Sequence, residues 1–229
     1  MTKKTAADKP ASSPDWEDII GRLKKWRRDL EDPSVSTVAE RYNKDPWAVL
    51  VSTILSLRTK DEVTLKTSGA LLAKAPDPEK LLTLTEEETA ALAYPAGFYR
   101  TKAANLRKIA ALLIEKYGGK VPADLDTLLE LPGVGRKTAN LVITEAFNKP
   151  GICVDIHVHR ISNRTGWLQS AGPEETEMIL RDILPGKFWK PINPLLVLYG
   201  QKLCRPVSPF CSRCVIKEHC GQRGIEKSR

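Results

Sequence analysis

The segment "PWAVLVSTILSL", Pro46 to Leu57, has no polar face. A helix that is apolar all round does not sit on a surface; it needs neighbours on every side. This stretch therefore demands several other elements packed around it, and a chain of 229 residues is long enough for one large domain or two modest ones. The rest of the sequence offers helices. Trp16, Ile19, Ile20, Leu23, Trp26 and Leu30 recur at helical spacing. In "LTEEETAALA", Thr85 and Glu88 match a capping box. "RTKAANLRKIAALLIEKYGGKVP" reads as a long helix closed by Gly118 and Gly119, with Pro122 beyond. "ADLDTLLEL" and "RKTANLVITEAF" form a helix pair around a short turn, and further helices are expected over Pro173 to Leu184 and Pro191 to Lys202. Strand patterns are scarce. "VDIHVHRI" alternates, but eight residues do not separate helix from strand. The expected class is all-α.

Lys and Arg number 36 against 28 Asp and Glu, a net charge of +8. Such a surplus favours polyanionic partners, nucleic acid foremost. No apolar run approaches the roughly 18 residues that cross a bilayer, and no Lys/Arg-rich helix carries an aromatic membrane face, so no membrane partner is expected. The N-terminal "MTKKTAADKPASSP" lacks the apolar core of a secretory signal. Residues 1–14 are read as a disordered tail and the chain as intracellular.

Four of five cysteines fall within 17 residues, "CRPVSPFCSRCVIKEHC". Cys204, Cys211, Cys214 and Cys220 give C-x6-C-x2-C-x5-C. A disulfide pair fits an intracellular chain poorly. A Cys₄ zinc site usually shows two short knuckles, and here there is one. Uneven spacing in one loop suits a cubane [4Fe–4S] cluster better, with zinc as the alternative. Cys153, in "GICVDI", reads as a buried structural thiol.

In "LPGVGRKTAN", Pro132 ends one helix, and Gly133 and Gly135 are read as permitting conformations that a Cβ would forbid. Helix N-termini present unpaired N–H groups and partial positive charge, so the turn suits a phosphate. A plain glycine C-cap explains the glycines equally well. Lys137 is open to three readings: phosphate contact, solvated lysine, or amine nucleophile in its neutral form. A nucleophile working on a sugar carbon needs a carboxylate nearby to steady positive charge. Asp155, flanked by apolar residues, is the candidate, with a helix N-cap as its competing reading.

Taken in order, "LPGVGRKTAN", "VDIHVHRISNRTGW" and C-x6-C-x2-C-x5-C resemble the endonuclease III family of helix-hairpin-helix DNA glycosylase/AP lyases, from about Asp15 to Cys220. The resemblance implies two helical domains with a DNA-binding cleft between them. Residues 38–149 would form a helical barrel carrying the hairpin. Residues 15–37, an N-terminal helix, would join residues 150–229 in an iron–sulfur domain whose C-terminal loop holds a [4Fe–4S] cluster on Cys204, Cys211, Cys214 and Cys220. It further implies a monomer acting on double-stranded DNA with a damaged base or abasic site, chiefly oxidised pyrimidines. In it Lys137 is the Schiff-base amine and Asp155 its carboxylate. Gly133, Val134, Gly135, Arg136 and His157 match the family's DNA-contact motifs. Two further DNA contacts depart from the pattern: Arg58 stands where the family usually has Gln, and Phe98 where its wedge is usually Leu. Between the first two cysteines, "RPVSPF" offers only Arg205, where basic residues are usual.

Overall fold

A computed structural model describes residues 14–229; the tail expected over residues 1–14 lies, apart from Pro14, outside the described residues. Their regular structure is entirely helical. In chain order the helices are α1 (Trp16–Trp26), α2 (Ser34–Arg41), α3 (Pro46–Ser56), α4 (Asp61–Lys74), α5 (Pro78–Thr83) and α6 (Glu86–Ala93). There follow α7 (Tyr99–Tyr117), α8 (Leu125–Leu129), α9 (Arg136–Glu145), α10 (Ile156–Thr165), α11 (Pro173–Ile183) and α12 (Trp189–Lys202).

Local chemistry sets their ends. The carboxylates of Asp15, Asp45, Asp77, Asp124 and Asp155 each accept a backbone N–H from the first turn of the helix that follows. The Thr85–Glu88 capping box is formed on both sides. Gly118, with φ of +58°, ends α7 in the left-handed conformation that glycine adopts freely. "VDIHVHRI" resolves as the start of α10, because the Asp155 cap commits the chain to helix at Ile156. The last long helix begins at Trp189 rather than Pro191, since a 3-10 turn at Gly186–Phe188 feeds directly into it.

Two apolar cores organise these elements. In the first, α3 is enclosed by α2, α4, α7 and α9. All of its residues from Trp47 to Leu55 are buried, as an all-apolar helix requires. The second core gathers α1 with α10, α11 and α12. The N-terminal helix thus packs on the C-terminal part of the chain: the Trp16 indole N–H donates to the Ile183 carbonyl at 2.8 Å, and its ring meets Trp167 edge-on at 5.0 Å. The segment Ile152–Val154 runs between the two. Ile152 and Val154 point into the second core, whereas Cys153 points into the first.

Candidate active site

The turn between α8 and α9 separates its two glycines. Gly133 has a φ of +76°, which favours glycine, and a Cβ there would lie 2.5 Å from Asn105 Nδ2, so the Asn105 side chain would have to move aside. Gly135 differs from the expectation. Its φ of −95° is open to any residue, and a Cβ would meet nothing within 4 Å. It caps α9 with no side-chain hydrogen bond. Among the described residues, no acceptor engages the N–H groups of Arg136, Lys137 or Thr138. Val134 is buried between the helices. The Arg136 guanidinium is held by Glu177 through Nε at 3.1 Å and Nη2 at 2.9 Å. Arg181 donates to the same carboxylate from α11. Burial pushes the Glu177 carboxyl up, but these hydrogen bonds outweigh it and hold it below its ordinary value. The three residues form a strut from the hairpin helix to the second core.

In the first turn of α9, Lys137 lines a cleft of about 910 Å³ whose walls also carry Asp155, His157, Arg58 and Phe98. Such a volume suits a nucleotide-sized group. The first core supplies the amine, and the N-terminus of α10 supplies the carboxylate. Asp155 does cap its helix: Oδ1 accepts from the N–H groups of His157 and Val158, both at 2.9 Å. Among the described residues no hydrogen bond takes up Oδ2. The cap therefore occupies one oxygen of this buried side chain and leaves the other unbonded. Beneath them the Cys153 thiol is pushed up to about 12 by burial, and its Sγ lies 3.6 Å from the Lys137 carbonyl. It is an inert packing residue, as expected.

Arg58 and Phe98 face each other at the mouth of the cleft, the guanidinium 5.5 Å from the ring centroid. Both hold left-handed backbones, φ +53° and +57°, and Phe98 is 63% exposed. His157 is half-buried, and burial pushes its pKa down. Its Nδ1 lies 3.1 Å from Arg160 Nη2. A guanidinium only donates, so Nδ1 is the acceptor and the proton sits on Nε2. Among the described residues Nε2–H has no partner.

Near the C-terminus, donors aim at three of the four clustered sulfurs. Arg164 Nη1 lies 3.4 Å from Cys204 Sγ, the Tyr199 hydroxyl 3.1 Å from Cys214 Sγ, and the Gln222 N–H 3.4 Å from Cys220 Sγ. Burial, and then the charge of the neighbouring cysteines, holds the Cys214 and Cys220 thiols above their ordinary value, so the four share one neighbourhood. Among the described residues, no three His, Cys, Asp or Glu side chains close around a single metal-ion position.

Residues 51–186 match the HhH-GPD superfamily of base excision DNA repair proteins. The chain is 48% identical to endonuclease III of Thermotoga maritima over 176 residues, 77% of this chain and 83% of that protein. The chain belongs to the endonuclease III family. Its fold superposes on a trapped endonuclease III–DNA covalent intermediate (an estranged-adenine complex) with a TM-score of 0.78 and 32% identity, over 89% of this chain and 92% of that one. A thermostable thymine-DNA glycosylase superposes with a TM-score of 0.79 at 25% identity, over 90% and 95%. Set in this family, the site has supports that the sequence motifs did not reveal. Glu177 lies 41 positions from Arg136, and Arg160 orients His157 from the next turn of its helix. Lys102, inside a helix with the look of a solvated face, is 6% exposed.

Proposed function

We propose that this base excision repair DNA glycosylase/AP lyase removes oxidised pyrimidines from duplex DNA, with Lys137 as the attacking amine and Asp155 as its carboxylate partner. The observation that carries the reading is the shared cleft, with Lys137 and Asp155 on its walls and Arg58 and Phe98 at its mouth. A damaged nucleotide turned out of the stack enters the cleft, while the wedge pair fills the gap it leaves. The Lys137 amine, freed of its proton by the Asp155 carboxylate, attacks C1′, and the C1′–N bond to the base breaks. Oδ2, which the helix cap leaves unbonded among the described residues, would take that proton and steady positive charge developing on the sugar. Ring opening gives a Schiff base to Nζ. Loss of a C2′ proton then expels the 3′ phosphate by β-elimination, nicking the strand, and hydrolysis frees the lysine.

The DNA backbone has two candidate anchors in the chain. Open N–H groups at the start of α9, with Gly135 leaving room beside them, suit one phosphate. The Nε2–H of His157 suits another. On this reading the barrel domain runs to residue 149 but begins with α2 at Ser34 rather than at residue 38, since Val35 packs in the first core; residues 15–33 join 150–229, and the protein works as a monomer. Two substitutions separate the roles of the glycines. Gly133→Ala is expected to cost about 1–3 kcal/mol of stability, from strain and the Asn105 contact. Gly135→Ala is expected to leave the melting temperature unchanged yet weaken binding to an abasic-analogue duplex roughly ten-fold. Thermal melts and fluorescence anisotropy check the pair; unchanged binding by Gly135→Ala would remove the turn from the DNA interface.

Cys204, Cys211, Cys214 and Cys220 are proposed to hold a [4Fe–4S] cluster. Their shared neighbourhood and the donors aimed at three sulfurs suit thiolates on a cluster, and a cubane spreads its ligands more widely than one ion does. When bound, the cluster cross-links the loop from Cys204 to Cys220 and supplies no chemistry at the sugar. The purified protein should be brown and contain about four irons per chain. A colourless protein with one zinc would overturn the assignment. The reading as a whole is tested by borohydride reduction on a thymine-glycol duplex, which should leave protein covalently joined to DNA. No adduct on any oxidised pyrimidine or on abasic DNA would sink it.

A further inference from the structure

Lys102 is a buried lysine with no carboxylate against it among the described residues. An isolated buried ammonium is costly unless every N–H is satisfied. Here all three are: Nζ lies 2.8 Å from the Leu55 carbonyl, 2.6 Å from the Leu57 carbonyl and 3.0 Å from Thr59 Oγ1. The two carbonyls belong to the C-terminal end of α3, where partial negative charge accumulates. All three acceptors flank Arg58. The knot extends to the second wedge. Thr59 Oγ1 also accepts the Gly97 N–H at 3.1 Å, and the Lys102 backbone N–H donates to the Phe98 carbonyl at 3.0 Å. The loops touch directly there, since a Cβ on Gly97 would lie 2.6 Å from the Arg58 carbonyl oxygen.

A left-handed backbone costs a non-glycine residue about 1 kcal/mol or more and persists only where its surroundings impose it. Arg58 and Phe98 both hold one, and both lie within the ring of contacts that closes on Lys102. We propose that Lys102 is a positioning residue for base extrusion, its side chain fixing the spacing and direction of the Arg58 and Phe98 wedges. It lines the same cleft as Lys137, but its three N–H groups are spent on the loops, so it serves the wedge and not the sugar. This role rests on the reading of the cleft given above.

The test separates extrusion from chemistry. Single-turnover base removal is measured on thymine glycol paired with adenine, and on the same lesion unopposed in a one-nucleotide bulge, where unstacking costs little. Lys102→Met, of similar length and without donors, is expected to be slowed roughly ten-fold or more on the paired substrate. On the bulge it should stay within about two-fold of wild type, because the chemistry is untouched. Thr59→Val should show the same split, and Thr59→Ser, which keeps the hydroxyl, should restore wild-type behaviour. Should Lys102→Met not fold, the two Thr59 variants decide. Equal losses on both substrates would make the knot merely structural, and no loss on either would remove it from extrusion. Wild-type protein inactive on both substrates would instead overturn the proposed function.

Discussion

Lys137→Ala is expected to yield no borohydride-trapped adduct on thymine-glycol or abasic duplex, and to cut strand nicking roughly 10³-fold or more. The size follows from the role assigned to the amine. Without Nζ no covalent bond to C1′ forms, and β-elimination loses the iminium that makes the C2′ proton acidic. The substitution is also a clean one. Among the described residues the Lys137 side chain takes part in no hydrogen bond or ion pair, and it is half-buried at the cleft wall. The fold has little reason to notice its removal, so a lost adduct with an unchanged melting temperature reads as lost chemistry. Gel-shift affinity for an uncleavable abasic analogue should remain near wild type. An adduct that persists in Lys137→Ala would place the nucleophile elsewhere.

For Asp155 the expected effect is nearly as large, but it divides differently. Asn retains a side-chain oxygen, so Asp155→Asn can still accept from His157 and Val158 and keep α10 capped. It cannot take a proton from the lysine or offset positive charge on the sugar. Base excision should therefore fall by about 10²–10⁴-fold while DNA binding and melting temperature hold. Asp155→Ala is the contrasting variant: it loses the cap as well and should cost about 1 kcal/mol of stability in addition. If Asp155→Asn loses binding and excision in equal measure, the carboxylate is chiefly a cap. Of the two readings of this residue, the helix cap is formed through one carboxylate oxygen, and the other oxygen carries no hydrogen bond among the described residues.

What was legible in the sequence was local. The Thr85–Glu88 capping box, the Gly118 helix end and the wholly apolar α3 are patterns within a few residues, and each forms as read. The motif order from the hairpin to the cysteines carried the family. What stayed hidden depends on distance. Gly133 and Gly135 look alike in "LPGVGRK", yet only the first faces Asn105, a residue from another helix. Nothing around Arg136 in the sequence announces Glu177, its partner from α11. Lys102 sits among charged neighbours in "RTKAANLRK", and nothing in that string says that the end of α3 lies against it. Partners that meet only through tertiary packing leave no periodic trace.

The three residues Ile152–Val154 also bear on how the molecule meets a stiff duplex. With neighbouring side chains anchored alternately in opposite cores, this crossing offers no slack. Swinging one lobe against the other about it would draw either Cys153 or its two neighbours out of close-packed surroundings, at a few kcal/mol for each side chain exposed. The Glu177 strut also ties α9 of the first core to α11 of the second. The packing at this crossing thus opposes hinge motion between the two cores. On the proposed function, such a crossing would leave curvature to the nucleic acid, and lesions that soften their own helix would be mechanically the easier prey.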